Sequence, residues 1–284
     1  MALDQVIAWD QWLPAPAKIN LFLRVVGRRD DGYHLLQTVF RLVDLHDFLR
    51  FRPTADGSLS LLTSIEGVDM QSNLVMRAAR ALRTATGCRK GATIEIDKRI
   101  PIGGGLGGGS SDAATTLLAL NALWNLDLSV EALARIGVSL GADVPVFVRG
   151  RNAFAEGIGD ELFPLDLGPA WYVILTPDVM VPTGSIFSDP TLTRDTERTT
   201  IAAFFAGQNL VNDLEPVVRR RYPQVARCLD WLSAFGAARM SGSGSSVFAE
   251  FPTESAARAV IARSRLEMKG FVVCGLSRHP LARR

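Results

Sequence analysis

The chain has 284 residues, 48% of them hydrophobic and 21% charged, which is enough to bury one large core or two joined cores. A formal net charge of +2 excludes the strongly basic class of dedicated nucleic-acid binders. The three cysteines form no CxxC pair, which excludes a disulfide framework and a zinc site of that spacing. No apolar run approaches the roughly 18 residues that cross a bilayer, so we expect a cytoplasmic protein with no membrane partner.

The first quarter of the chain predicts paired strands. Residues 12–26 alternate polar and apolar side chains around a β-rich centre, and 38–43 form a second, β-branched run. Asp56-Gly57, a strong hairpin signal, lies between two further apolar runs at 48–51 and 59–62. We therefore expect an antiparallel meander in which these last two runs are neighbours.

The next stretch predicts a helix, a strand and a second helix. Apolar residues recur at helical spacing over 74–82, after Asn73 and before a stop at Gly87. Residues 93–97 alternate strictly, as in a half-buried strand, and lead into a glycine-rich run. An alanine-rich helix is expected over 113–123.

The remaining elements complete a first domain and then form a second, mixed domain. We expect the boundary near residue 155, which gives domains of 1–155 and 156–284. Strands are predicted at 171–175, 247–251 and 271–276, and helices at 129–139 and near 201–206, 211–220 and 224–235.

The glycine-rich run is the most informative feature of the sequence. Glycine permits positive φ and close approach to the main chain, so such a run before a helix presents free N–H groups to an anion. A P-loop is excluded because Ser110 stands where the essential lysine would follow Gly109. A dinucleotide fingerprint is disfavoured because its acidic residue, Asp127, follows a helix end and not a second parallel strand.

Four motifs, in this order along the chain, resemble those of the GHMP kinase family. The glycine run is similar to the loop that holds the triphosphate of ATP, and the other motifs are similar to substrate, catalytic and C-terminal segments. The motifs are Pro16-Ala17-Lys18-Ile19-Asn20-Leu21 with Asp30-Asp31-Gly32-Tyr33-His34, then Pro101-Ile102-Gly103-Gly104-Gly105-Leu106-Gly107-Gly108-Gly109-Ser110-Ser111, then Gly141-Ala142-Asp143-Val144-Pro145, and last Ser241-Gly242-Ser243-Gly244-Ser245-Ser246.

This resemblance implies an α/β (α+β) fold of two domains, with antiparallel sheets, helices and an active site in the cleft between the domains. It implies transfer of the γ-phosphoryl group of ATP, with Mg²⁺ bound to the nucleotide. The extra glycines resemble one branch of the family, whose acceptor is a cytidine-diphosphate-linked methylerythritol on the non-mevalonate route to isoprenoid precursors. We expect no nucleic-acid partner, and a monomer or weak homodimer.

The resemblance also assigns a catalytic pair. Lys18 lies in an otherwise apolar strand, and by itself it suggests a charged residue on an edge strand that faces water. Asp143 by itself reads as a helix cap. In the family pattern the two side chains pair, with Asp143 as general base and Lys18 stabilising the transferred group.

Other site residues follow from the resemblance in the same way. The expected contacts to the acceptor are Asn20, Tyr33, His34, Thr183 and Phe187, with Tyr33 and His34 at the cytosine. The expected contacts to adenine and ribose are Asn73, Leu74 and Lys98. Asp112 either complements the helix dipole or holds Mg²⁺, and both readings stay open.

Two rival functions remain from sequence alone. One is another GHMP kinase that acts on mevalonate, homoserine or a sugar, acceptors that offer no base to Tyr33 and His34. The other is a nucleotide-binding protein without catalysis, which Lys18 and Asp143 disfavour. Nucleic-acid binding through Arg219-Arg220-Arg221 is a weak third possibility, since this basic run has no interleaved aromatic residue other than Tyr222.

Overall fold

A computed structural model describes residues 7–64, 72–208, 210–264 and 268–282. In these ranges ten strands form two sheets, and the expected mixed α/β class is confirmed. The first sheet contains β1 (Trp12–Arg28), β2 (His34–Thr54), β3 (Leu59–Leu61), β4 (Gly91–Asp97), β5 (Ala153–Glu156) and β6 (Glu161–Pro164). Its order is β3-β4-β2-β5-β6, with β1 paired to β2.

The ribbon of β1 and β2 is the backbone of the first sheet. Two separate runs were predicted where the structure has one long strand, β2, because the acidic stretch at 44–47 does not interrupt pairing. A register shift absorbs that stretch: Pro16 pairs with His46, whereas the next residue, Ala17, pairs with Val43. The bulge keeps the apolar faces on both sides of it buried.

The predicted hairpin between 48–51 and 59–62 is wrong. β3 does not pair with β2, because β4 lies between them, antiparallel to β2 and parallel to β3. The turn itself forms, with the Asp56 side chain accepting a bond from the Ser58 N–H. Ile94 of β4 then lies between Phe51 and Leu61, so a strand from further along the chain fills the position that local turn chemistry assigned to β3.

Among the described residues, four helices cover the first sheet: α1 (Leu74–Thr86), α2 (Gly108–Leu123), α3 (Val130–Val138) and α4 (Val144–Arg149). The predicted start and stop of α1 are confirmed, since Asn73 caps its first turn and Gly87 ends it in the left-handed conformation. α2 is apolar around most of its circumference and lies within the first hydrophobic core. The loop before α2 is thereby fixed by a buried element.

The second sheet has the order β10-β7-β9-β8 and builds its own core. Its strands are β7 (Trp171–Thr176), β8 (Arg239–Met240), β9 (Val247–Phe251) and β10 (Lys269–Cys274). The helices of this half are α5 (Thr183–Phe187), α6 (Ile201–Phe205), α7 (Glu215–Arg221), α8 (Pro223–Ser233) and α9 (Glu254–Ile261). Every strand and helix predicted after residue 160 is present, although α7 starts four residues later than the expected 211.

A third apolar cluster joins the two sheets. Phe22 of β1 packs there with Tyr172 and Phe248 from the second sheet. The chain passes between sheets after β6 and before β7, whereas the predicted boundary near 155 falls within β5. The division into 1–155 and 156–284 therefore stays a proposal.

The segment after β10 returns to the first sheet. The Leu276 N–H donates to the Leu42 carbonyl at 2.8 Å, and the His279 N–H donates to the Gly150 carbonyl at 2.9 Å. Leu281 is buried in the first core. Within the described ranges, no helix combines the length and apolarity that a bilayer crossing requires.

Candidate active site

A cavity of about 740 Å³ lies where the two sheets meet. Segments from both halves of the chain line it: the middle of β1, the start of β2, the glycine run, the start of α4, α5 and the loop at 242–244. One space is thus open both to the predicted phosphate loop and to the predicted base-binding residues.

The glycine run is pressed between β1 and the C-terminal half. The Lys18 N–H donates to the Leu106 carbonyl at 2.9 Å, and the Ser246 N–H donates to the Gly104 carbonyl at 3.1 Å. Gly105 has φ near +73°, and a Cβ there would lie 2.2 Å from the Ser241 carbonyl oxygen. Glycine is required at 105 because the Ser241 carbonyl leaves no room for a Cβ atom, whether or not a ligand is bound.

The loop divides into residues that face the cavity and residues that support them. Gly103, Gly105, Gly107 and Ser110 line the cavity. Leu106 and Ser111 are buried, and the Ser111 hydroxyl has no hydrogen-bond partner among the described residues. The other predicted loop members lie in the same turn but outside the cavity lining: Pro101, Ile102, Gly104, Gly108 and Gly109.

Lys18 and Asp143 meet at the cavity wall. The Lys18 ammonium lies 3.3 Å from an Asp143 carboxylate oxygen. It also donates to the Asn20 side-chain oxygen at 2.7 Å and to the Gly105 carbonyl at 3.1 Å, and its side chain is only 4% exposed. A lysine with three fixed acceptors is a positioned charge, unlike the solvent-facing edge residue that its strand suggested.

Asp143 occupies the N-cap position of α4 without acting as a cap. Its side chain accepts no hydrogen bond from the first turn, and it is 32% exposed toward the cavity that it lines. The carboxylate that a helix start would normally engage is instead directed to Lys18 and open space. It is therefore placed to accept a proton from a bound molecule.

The predicted acceptor contacts cluster at the other end of the cavity. Tyr33 is 61% exposed at its rim, and the ring of His34 lies 4.9 Å from that of Phe187, tilted by 32°. The Thr183 hydroxyl pairs with that of Ser243 at 2.7 Å. Aromatic faces beside hydroxyl and imidazole groups suit a flat heterocycle with polar edges.

The predicted adenine contacts lie elsewhere. Asn73 caps α1, and Leu74 lies beside Gly109 at the far side of the loop. Lys98 bridges two buried carboxylates, with its ammonium 2.8 Å from Asp112 and 2.5 Å from Asp47. These three side chains do not line the cavity, and their contact with a nucleotide stays a prediction.

Asp112 has a third role that sequence reasoning did not consider. Burial raises its pKa to about 7, against the opposing effect of Lys98. One of its oxygens binds Lys98, and the other has no partner among the described residues. Asp47, which sequence reasoning missed, accepts bonds from the Arg99 and Ile100 N–H groups and so fixes the entry to the glycine run.

Comparisons with known proteins agree with this geometry. The model described as "GHMP kinases N terminal domain" matches residues 73–151, and "GHMP kinases C terminal" matches 194–269. A 4-diphosphocytidyl-2-C-methyl-D-erythritol kinase from Thiobacillus denitrificans is 56% identical over 95% of this chain and 97% of its own. Its counterpart from Nitrosospira multiformis is 58% identical over 94% of this chain and 92% of its own.

Solved structures give the same result. A crystal structure of 4-(cytidine 5'-diphospho)-2C-methyl-D-erythritol kinase matches with a TM-score of 0.81 and 35% identity, over 94% of this chain and all of the other. The mevalonate kinase of Methanococcus jannaschii, at 15% identity and a TM-score of 0.70 over 94% of this chain and 98% of its own, shares the fold. The chain therefore belongs to the GHMP kinases and, within them, to the family of 4-diphosphocytidyl-2-C-methyl-D-erythritol kinases.

Proposed function

We propose that this kinase transfers the γ-phosphoryl group of ATP to the 2-hydroxyl of 4-diphosphocytidyl-2-C-methyl-D-erythritol. The observation that carries the proposal is the pairing of Lys18 with Asp143 on the wall of one cavity, between the glycine run and the aromatic cluster. A phosphoryl donor and a pyrimidine-bearing acceptor can thus meet at one charged pair. The names of the relatives supply the identity of the acceptor.

The glycine run fits a triphosphate. Gly105 and Gly107 face the cavity without side chains, Ser110 adds a hydroxyl, and Lys18 adds the positive charge. The first turn of α2 leaves backbone N–H groups available beside them. We propose that Asn73, Leu74 and Lys98, on the far side of the loop, contact the adenosine.

Mg²⁺ accompanies the nucleotide in this proposal. Among the described residues, no group of three or more His, Cys, Asp or Glu side chains is arranged to hold a metal ion. Mg²⁺ usually takes one or two protein carboxylates together with phosphate oxygens, and because Lys18 engages Asp143 we assign the ion to the phosphates of the nucleotide. Bound there, the ion would neutralise charge on the phosphates.

The chemical step uses the two paired side chains. Asp143 accepts the proton of the acceptor hydroxyl as that oxygen bonds to the γ-phosphorus, and the bond from phosphorus to the bridging oxygen breaks to leave ADP. Lys18 holds Asp143 in place and stabilises negative charge on the transferred group. Asn20 and the Gly105 carbonyl keep the ammonium at this position.

An ADP-release assay over a panel of acceptors tests the function. We expect turnover with 4-diphosphocytidyl-2-C-methyl-D-erythritol and none with mevalonate, homoserine or galactose, because only the first offers a base to the aromatic cluster. Turnover of one of the other acceptors alone would contradict the proposal. Binding of ATP with no turnover of any acceptor would favour a non-catalytic nucleotide-binding protein.

Replacing Tyr33 by alanine tests the base-binding cluster. Stacking of a base on an aromatic side chain contributes about 1–3 kcal/mol, so the KM for the acceptor should rise while the affinity for ATP stays unchanged. Initial rates over both substrate concentrations measure this. Phe205→Ala removes a similarly exposed ring outside the cavity and serves as the control. An unchanged acceptor KM in Tyr33→Ala would remove Tyr33 from the site.

The remaining expectations on partners and location also stay proposals. Arg219 pairs with Asp230, while Arg220 and Arg221 pair with Asp189, so this basic cluster is engaged within the chain. That pairing supports the absence of a nucleic-acid partner. Unpaired cysteines at 88, 228 and 274 suit a reducing cytoplasm. We retain a monomer or weak homodimer as the expected state.

A further inference from the structure

The segment at 191–207 carries no recognisable motif, yet one of its side chains contacts His34, which is predicted to bind the cytosine base. Arg194 donates from Nε to His34 Nε2 at 3.1 Å. Its other two nitrogens donate to three backbone carbonyls: Leu192 at 2.9 Å, Phe187 at 3.0 Å and Asp189 at 2.8 Å. The guanidinium is thus held on every nitrogen.

This contact fixes the chemistry of the His34 ring. Arginine remains protonated and has donors only, so the ring nitrogen that it contacts must be the acceptor. Nε2 of His34 therefore carries no proton, and the neutral ring carries its proton on Nδ1. No described residue accepts a hydrogen bond from Nδ1, and His34 lines the cavity.

The electrostatic surroundings act in the same direction. Burial of His34, followed by the positive charges of Arg194 and Arg28, lowers the pKa of the ring below its usual value of 6.5. The ring consequently stays neutral at neutral pH. A second proton would have to enter at Nε2, which faces the guanidinium.

We propose that Arg194 is a positioning residue that makes His34 a donor through Nδ1 alone, and that this selects cytosine over uracil in the acceptor. The inference rests on the proposed function. Cytosine presents two adjacent acceptors, N3 and O2, on its pairing edge, whereas uracil places an N3–H donor beside its O2 acceptor. A ring that can only donate forms a hydrogen bond to N3 of cytosine. At uracil it would face the N3–H group, which is a second donor.

Arg194 also holds the other wall of the base-binding cluster. The nitrogen that contacts the Phe187 carbonyl belongs to the same guanidinium whose Nε contacts His34. One side chain from outside the cluster therefore contacts both residues whose rings lie 4.9 Å apart. Loss of Arg194 would change both the tautomer of His34 and the relative position of the two rings. The test therefore needs a measurement that separates these two effects.

NMR of the imidazole nitrogens provides that measurement. The chain has three histidines, and His279 serves as an internal reference of the opposite tautomer, because its Nδ1 accepts from the Leu281 N–H at 3.0 Å. We expect His34 to be protonated on Nδ1 and His279 on Nε2. In Arg194→Leu, the His34 signals should become those of mixed tautomers, and the pKa of the ring should rise. A purely structural role for Arg194 would leave the tautomer unchanged.

Binding of cytidine 5'-diphosphate and uridine 5'-diphosphate gives the functional readout. We expect the native protein to prefer the cytidine compound, and Arg194→Leu to lose about tenfold of that preference, the effect of one hydrogen bond. Turnover at saturating acceptor should stay within about twofold, since the contact lies away from the reacting atoms. Arg194→Lys, which keeps a charged donor, should retain most of the preference and guards against misfolding of the leucine variant.

Arg198→Leu is the matched control, because Arg198 lies in the same segment and pairs with Glu156 at the surface. A native His34 protonated on Nε2, or an equal preference for cytidine in Arg194→Leu and the native protein, would overturn the inference. Failure of the native protein to phosphorylate the cytidine acceptor would instead contradict the proposed function. The NMR result does not depend on turnover, so the two failures are distinguishable.

Discussion

Asp143→Asn should lower the turnover number by roughly 10²–10⁴-fold, the usual contribution of a general base, while ATP and acceptor still bind. Asparagine keeps the shape of the side chain but cannot accept the proton of the acceptor hydroxyl. Because the Asp143 side chain makes no cap bond to α4, its exchange should leave the stability of that helix unchanged. Single-turnover rates with both substrates in excess of their dissociation constants isolate the chemical step.

Asp127→Asn is the matched control for this change. Asp127 is exposed outside the cavity and has φ near +52°, a left-handed conformation that asparagine also tolerates. The turnover of Asp127→Asn should equal that of the native protein. Asp127→Asn and Asp143→Asn should both unfold at the same temperature as the native protein. Near-native turnover in Asp143→Asn would reject the assignment of Asp143 as base.

Lys18→Met should lower turnover by a comparable factor, roughly 10²–10⁴-fold, as for other groups that act in one catalytic unit. Methionine fills most of the buried volume but removes the charge that contacts Asp143, Asn20 and the Gly105 carbonyl. The double variant with Asp143→Asn should lose much less than the product of the two single losses, because each side chain depends on the other.

The double-mutant cycle separates two roles for Lys18. Fully multiplicative losses would mean that Lys18 contacts a phosphate without acting through Asp143. Lys90→Met removes a lysine that binds the Trp124 carbonyl, outside the cavity, and should leave turnover unchanged. Thermal unfolding of each variant shows whether a loss of turnover reflects a loss of folded protein.

Local signals in the sequence were sufficient where the structure is decided locally. Asn73 and Gly87 bound α1 because a cap needs only its own turn. The glycine run and the motif around Asp143 indicated the candidate site for the same reason. Each is a short segment whose residue types are typical of one chemical role. The four-motif resemblance to the GHMP kinases is confirmed by the family models and the relatives.

Non-local pairing was the main limit on predicting the fold. The turn at Asp56-Gly57 is real, but turn chemistry contains no information about a strand that arrives thirty residues later and separates β3 from β2. Likewise, the acidic stretch at 44–47 gave no sign that a bulge opposite Pro16 would absorb it. Both outcomes follow from burial of apolar faces that only the assembled sheet defines.

The sequence pointed to several residues that line the candidate site, but not to the contacts that hold those residues in place. Arg194 and Asp47 have no spacing that marks them, because each acts on a residue that is distant in sequence. Lys98 is a further example, since its pairing with Asp47 and Asp112 could not be read from the sequence, while its contact with the nucleotide stays a prediction. Positioning contacts of this kind become visible only with side-chain geometry.

The return of residues 276–282 to the first sheet has a consequence for biosynthesis. Leu281 fills part of the first core, and His279 lies buried beside Thr115 of α2. Chains generally fold as they leave the ribosome, N-terminal units first. Residues 276–282 are translated after the second sheet, so the part of α2 and of the first core that they cover stays uncovered until then. The N-terminal half expressed by itself would keep that apolar surface exposed, and we expect it to aggregate more readily than the 284-residue chain.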